Sequence, residues 1–280
     1  MKAIITKTLG GFFFVADKKQ KIYKTHIRGR IQKTVYPGDR VEFSPEKMLI
    51  EKVLPRKKLL KRPKVANVNQ ILIVQAYKEP EFDIRLLDRF LILAEAANLK
   101  PVIIINKIDL AGQENLEKDF SYYNNIGYDL CFVSVEDNWG IKDLENCLHN
   151  KINVMAGPSG TGKSSIINKL IPDVNLPTGK LSKKLKRGVH TTRHVELLSL
   201  PTGGWIADTP GFTSLNIDHI DPRNLRCYFP EFIKYTPKCK FNTCSHIHEP
   251  QCAVKEAVNN GEISSRRYRS YKLFYEELNK

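Results

Sequence analysis

A nine-residue stretch, GPSGTGKSS from Gly157 to Ser165, constrains this chain more than any other. It follows the apolar run INVMA and opens a run with helical character, the context a phosphate-binding loop requires. Glycines at 157, 160 and 162 let the backbone wrap closely, so its N–H groups turn inward toward phosphate oxygens, and the helix N-terminus adds positive potential. Pro158, Ser159, Thr161 and Ser165 complete the loop. Lys163 supplies a full charge toward the β and γ phosphates, and Ser164 a hydroxyl for Mg²⁺. A strand, such a loop and a helix belong to an α/β sheet. The pattern implies a nucleoside triphosphate without naming its base.

The surrounding texture agrees. From Asn67 the chain alternates buried-strand runs (NQILIVQA, PVIIINKIDL, LCFVSV, INVMAG, GGWIADTPG) with amphipathic stretches, which predicts a parallel sheet covered on both faces. In FDIRLLDRFLILAEAANLK, Ile84, Leu87, Leu91 and Ala94 recur at helical spacing, with Leu86, Phe90, Leu93 and Ala97 widening the apolar face. Residues 1 to about 60 instead alternate apolar and polar side chains in short runs, with Gly10-Gly11 and Pro37-Gly38-Asp39 as turn signals. About five strands in that length suit an OB-type barrel, although an SH3-like barrel gives a similar pattern. PRKKLLKRPK, from Pro55 to Lys64, reads as a basic linker. Three domains are expected: 1–62, 63–218, and a Cys/His-rich, partly helical 219–280.

About fifty residues before the phosphate loop, NKID (Asn106, Lys107, Ile108 and Asp109) ends a buried strand, where ligand-binding loops of an open α/β sheet lie. A carboxylate at Asp109 accepts from both N1–H and the 2-amino group of guanine, whereas adenine would leave the charge unpaired. Asn106 addresses the opposite edge of the base, and the Lys107 stem packs over the ring or against the phosphate loop. Ser134 and Val135, in SVED, are candidates for the companion loop over guanine. GTP is therefore favoured over ATP. In DTPG, Asp208 can hold Mg²⁺ through water and the Gly211 N–H can meet the γ-phosphate. In GVHTTR, one of Thr191 and Thr192 reaches Mg²⁺. Phe212 stands where Ras-like enzymes carry a water-orienting glutamine, so unaided hydrolysis is expected to be slow. His190 is the substitute, able to hydrogen-bond water at neutral pH.

Cys239, Cys244, His246 and Cys252 cluster in CKFNTCSHIHEPQC. Three thiolates and an imidazole suit a closed, structural tetrahedral Zn²⁺ site, with His248 a rival for the fourth position. Six cysteines at low density make no disulfide framework, and the cluster points to a reducing compartment. A formal charge of +15 and pI near 9.5 suit a polyanionic partner. GKLSKKLKRGVHTTR carries no acidic residue and SSRRYRSYK interleaves arginine with tyrosine, which together favour RNA. No apolar run reaches the ~18–20 residues of a spanning helix, so a cytoplasmic protein with no membrane partner is expected, and a monomer.

The base reader preceding the phosphate loop reverses the usual order. A parallel sheet tolerates such relocation of chain ends when the old ends are close, so the pocket can survive intact. NKID, GPSGTGKSS, GVHTTR, DTPGF and the four metal ligands, behind a β-barrel, resemble in this order the RsgA family (also called YjeQ or YloQ) across essentially the whole chain. These are circularly permuted GTPases that assist late maturation of the bacterial small ribosomal subunit. The resemblance implies an N-terminal OB domain, nucleotide contacts from Asn106 to Asp109 and from Gly157 to Ser165, and subunit-stimulated hydrolysis of GTP to GDP. It further implies contact with ribosomal RNA through barrel and zinc domain, with His190 similar to the switch histidine proposed to act in hydrolysis. Val135, where alanine is usual, is the main departure in the guanine-closing loop.

Overall fold

The computed structural model describes residues 1–29, 31, 33–112, 116–178, 195–208 and 215–280. Alternating side chains at the N-terminus form β1 (Lys2–Leu9), β2 (Phe12–Ala16), β3 (Ile22–Ile27), β4 (Arg40–Ser44) and β5 (Leu49–Val53). Gly10 and Gly11, at φ +56° and +80°, make the β1–β2 turn, a backbone most side chains resist. The strands pair in the order β1-β2-β3-β5-β4, and β4 returns to pair with β1. Only the β3–β5 pair of this ring is parallel. That closed five-stranded ring is the OB arrangement. Ile5, Val15, Val41, Phe43 and Ile50 fill it.

The expected basic linker is instead a packed hairpin, β6 (Leu59–Lys61) and β7 (Lys64–Ala66). Leu60 and Val65 enter the same core as Ile71 and Ile73, while the lysines keep to the outside. Its lead-in is tied to the barrel: Arg56 forks onto the fully buried Asp39 at 2.8 and 2.6 Å and also donates to the Thr34 carbonyl. Three-residue strands are too short to reveal a period against so many charges, which is why the segment looked featureless.

Beyond it run β8 (Gln70–Ala76), α1 (Ile84–Ala96), β9 (Lys100–Asn106), α2 (Leu116–Asn125), β10 (Asp129–Val133), α3 (Ile141–Leu148), β11 (Ile152–Ala156), α4 (Lys163–Leu170), β12 (Glu196–Ser199) and β13 (Trp205–Asp208). Strand order is β10-β9-β8-β11-β13-β12, parallel except for β12. Every residue of β8 and β11 is buried because helices cover both faces. α1 and α2 pack on one face through Leu87, Phe90, Leu91 and Phe120. α3 and α4 cover the other through Leu144, Leu148, Ile166 and Ile167. From β8 the chain goes on to β9 and β10 on one side, and from β11 to β12 and β13 on the other, so the crevice between the carboxyl ends of β8 and β11 is the topological switch point where ligands bind in open α/β sheets.

The barrel adds to this sheet at its antiparallel edge, where β1 pairs β12 with Lys7 opposite Glu196, giving eleven strands in all. On the far side of α1 lie three short 3₁₀ turns, α5 (Ala253–Asn259) and α6 (Ser265–Leu278). They bury Ile92 and Leu93 of α1 against Ile217, Phe229, Phe232, Tyr271 and Phe274. α1 is thus covered on two sides, which a single apolar stripe does not reveal. Its Asp88 is fully buried, accepting from Arg267 of α6 at 2.7 Å and from the Tyr123 hydroxyl at 2.7 Å. Arg267 also bonds Glu231 at 2.8 Å and lies over the Phe229 ring. Such a buried network fixes how α6 seats on α1, because leaving one charge of it unpaired costs about 3–5 kcal/mol.

Candidate functional site: a nucleotide crevice and a Cys/His cluster

The phosphate loop leaves β11 at the switch point. Gly157, at φ +132°, passes so close to β8 that a Cβ there would sit 2.1 Å from the Val74 carbonyl oxygen. Gly162, at φ +92°, caps the N-terminus of α4, and its Cβ would fall 2.2 Å from Asn106 Nδ2. Thr161 is buried between them, its hydroxyl donating to the Pro158 carbonyl at 3.1 Å. Lys163 folds back over the loop, its ammonium donating to the carbonyls of Gly157 (2.9 Å) and Pro158 (2.6 Å). Ser164 and Ser165 follow in the first turn of the helix. Gly162→Ala should lower nucleotide affinity ~100-fold with the fold intact, since alanine is strained at φ +92° and its methyl would push Asn106 Nδ2 off the Thr161 carbonyl. Fluorescent-nucleotide titration beside a circular dichroism spectrum checks this; undiminished affinity would show that the loop re-forms around alanine.

The base-reading segment meets this loop directly. Asn106, 2% exposed at the end of β9, donates from Nδ2 to the Thr161 carbonyl at 2.8 Å, joining positions 55 residues apart in the chain. Its Oδ1 is buried and has no hydrogen-bond partner among the described residues. Lys107 adopts a left-handed backbone at φ +62° and reaches the Glu79 carbonyl with its ammonium. Ile108 and Asp109 then turn in a short 3₁₀ segment. Asp109 Oδ1 accepts from the Ser134 hydroxyl at 2.8 Å, and Ser134 Oγ in turn accepts from the Asp137 N–H at 3.0 Å. Paired backbone bonds between Ser134 and Trp139, at 3.1 and 3.0 Å, pin the loop that carries Val135. Asn106, Asp109, Ser134 and the phosphate loop therefore share one crevice.

Asp208 ends β13, on the other side of β11 from β8. Burial raises its pKa, helped by the facing Glu196 and opposed by Lys7. His190, Thr191, Thr192, Gly211 and Phe212 lie outside the described residues, as does the basic run 179–193.

Cys239, Cys244, His246 and Cys252 converge, their ligand atoms all within 4.8 Å of one another. Cys239 Sγ lies 3.9 Å from Cys252 Sγ, and His246 Nδ1 lies 3.6 and 3.4 Å from Cys239 and Cys252 Sγ. A tetrahedral ion with metal–sulfur bonds of about 2.3 Å requires edges of about 3.8 Å between sulfurs and about 3.5 Å from sulfur to nitrogen, so the geometry fits. Burial holds the His246 pKa down to about 4, leaving a neutral imidazole, and pushes the Cys244 thiol up to about 12. Three thiolates in such a place need a cation to offset them. His248 is exposed and outside the group, so His246 is the histidine that shares the cluster.

Sequence reasoning missed the residues that brace the cluster. Tyr268 and Tyr271 of α6 donate to the carbonyls of His246 and Ser245, each at 2.6 Å. Glu249 accepts from the Ser245 N–H at 2.6 Å and hydroxyl at 3.0 Å, and from the Ile247 N–H at 3.2 Å. Burial works against its charge, but these bonds hold its pKa down to about 2. Nothing local marks the two tyrosines, though a serine and a glutamate bracketing His246 hint at such a turn.

A doubly covered parallel sheet with a phosphate loop at its switch point, and a base-reading loop that precedes it in sequence, defines a circularly permuted P-loop GTPase. The family models for the RsgA N-terminal domain and the RsgA GTPase match residues 2–48 and 53–218. The chain belongs to the RsgA GTPase family. It is 44% identical to the small ribosomal subunit biogenesis GTPase RsgA of Carboxydothermus hydrogenoformans, over 99% of this chain and 98% of the relative. To the protein of that name from Alkaliphilus metalliredigens it is 42% identical, over 100% and 98%. The crystal structure of YjeQ from Thermotoga maritima superposes with a TM-score of 0.85 at 38% identity, covering 99% of this chain and 98% of that one. YloQ, described as a circularly permuted GTPase, superposes at 0.83 and 34% identity, covering 99% and 94%.

Proposed function

We propose that this GTPase binds the small ribosomal subunit, assists its late assembly, and hydrolyses GTP to GDP and phosphate at a rate the subunit stimulates. The observation that carries the reading is the Asn106–Thr161 bond beside the Ser134–Asp109 bond, which unites base reader and phosphate loop. Asp109 pairs with N1–H and the amino group of guanine, Asn106 takes the other edge, and Lys107 and Ile108 support the ring. Ser134 and Val135 close over the base. Gly157, Pro158, Ser159, Gly160, Thr161, Gly162, Lys163, Ser164 and Ser165 wrap the phosphates. Mg²⁺ would be held by Ser164, by Asp208 through water, and by Thr191 or Thr192, and would neutralise charge on the β and γ oxygens. Gly211 reads the γ-phosphate, and His190 orients the attacking water in place of the glutamine that Phe212 displaces. The ion at Cys239, Cys244, His246 and Cys252 is a single structural Zn²⁺ with no open position for water.

Ribosomal RNA is the polyanion that a chain of charge +15 meets through its barrel (1–62) and C-terminal module (219–280), flanking the GTPase unit (63–218). Among the described residues no helix is long and apolar enough to cross a membrane. On this reading the protein acts in the cytoplasm as a monomer. Initial hydrolysis rate against small-subunit concentration, over a salt series, tests the reading. Stimulation of at least ~10-fold that weakens steeply with salt is expected. Flat, slow turnover would favour the rival that Phe212 suggests, an RNA-binding assembly factor that only senses GTP or GDP.

A further inference from the structure

β12 and β13 lie between residues 179–194 and 209–214 in the chain, and β12 is also the strand to which the barrel attaches. Three charged residues stand in a row across this junction: Lys7 faces Glu196 on β12, and Glu196 faces Asp208 on β13. Directly opposed residues in antiparallel strands share a face with Cβ atoms about 5 Å apart, and like charges so placed repel. Lys7 Nζ meets Glu196 Oε2 at 2.5 Å, offsetting that repulsion. Strict alternation would turn Lys7 inward with Ala3 and Ile5, which pack in the barrel core. The β1–β2 register instead slips between Ile5 and Lys7, with Thr6 buried at the slip, and this bulge puts Lys7 on the side of Glu196. A second contact, Gln20 Nε2 donating to the Leu200 carbonyl at 3.2 Å, seats the barrel beside the same hairpin.

We propose that Lys7 and Glu196 are positioning residues for GTP hydrolysis: the barrel's lysine neutralises the glutamate facing Asp208, so the seating of the barrel sets the charge on the metal side of the nucleotide crevice. The proposal rests on the reading of Asp208 as the Mg²⁺-side carboxylate.

The test uses the full chain and the Mg²⁺ concentration that half-suppresses release of a fluorescent GDP. Lys7→Met leaves Glu196 unbalanced and should lower that concentration; Glu196→Gln removes a negative charge and should raise it. Because Lys7 and Glu196 side chains are 28% and 41% exposed, solvent limits each shift to about 3- to 10-fold. The double variant should return toward wild type, and Lys7→Arg should match it. Single variants that shift together or not at all, in a protein where Asp208→Asn does raise the Mg²⁺ requirement, overturn the pair alone. An Asp208→Asn protein with unchanged Mg²⁺ requirement overturns the reading beneath it, and the pair with it.

Discussion

Replacing Asp109 by asparagine should lower GTP affinity by about 10³-fold or more and make xanthosine triphosphate the preferred ligand. A carboxylate accepts from both N1–H and the amino group of guanine; an amide presents one donor where an acceptor is required, and that donor matches the carbonyl xanthine carries at the same place. The Ser134 hydroxyl holds Oδ1 of the native side chain, so the substituted amide is constrained in the same plane. Competition of GTP, xanthosine triphosphate and ATP against a fluorescent nucleotide provides the measurement. An unaltered base preference would remove Asp109 from base recognition, and equal competition by ATP in the unsubstituted protein would remove guanine specificity altogether.

Stripping the metal, or Cys244→Ser, should unfold the C-terminal module while the nucleotide crevice survives. An ion at the cluster would gather a segment whose own regular structure before α5 is three short 3₁₀ turns. Structural zinc contributes about 10–16 kcal/mol of apparent binding energy in small zinc-binding peptides, far more than such turns supply. Phe229, Phe232, Tyr268 and Tyr271 pack against one another and against His246. Loss of their fixed packing should abolish most of the near-ultraviolet circular dichroism they contribute. One equivalent of bound metal should disappear by elemental analysis, and GTP affinity should change by less than about tenfold, because no residue of the phosphate loop enters the core that the module shares with α1. A Cys244→Ser protein with a full metal complement and unchanged aromatic signal would exclude that thiol as a ligand.

The segment that resumes at Leu215 and the appended module share α1. Arg89 of that helix donates to the Leu215 carbonyl at 3.1 Å and forks onto Glu277 of α6. Leu215 follows Asp208 and Gly211 closely in sequence, so on the proposed reading of Gly211 a displacement starting at the γ-phosphate would reach a helix already bonded to the C-terminal module. The reversed motif order makes this possible: the strand bearing Asp208 leads onward into the metal-binding segment instead of into the next strand of the sheet.

What could be read without coordinates had local causes. Glycines at 157, 160 and 162 announce a backbone other residues resist, and all three adopt positive φ. Leu87, Phe90, Leu91 and Ala94 recur at the helical period and are buried. Cysteine and histidine spacing picked out four side chains whose ligand atoms converge. The misreadings were equally physical. Residues 55–64 looked like a solvated connector because charge masked two three-residue strands, and the buried Asp88–Arg267 pair left no local signal because the partners lie 179 residues apart.

The chain by itself determined the elements and the chemistry they carry: a phosphate loop, a carboxylate suited to guanine, a Cys₃His set, and their unusual order, all consequences of interactions among neighbours in sequence. Tertiary structure alone decided that the N-terminal strands close as an OB ring, that Asn106 anchors to Thr161, that Ser134 holds Asp109, and that Lys7 faces Glu196. Those pairings depend on strand register and on which faces meet, and a single extra residue at Thr6 is enough to turn a side chain from one face to the other, a choice no local preference encodes.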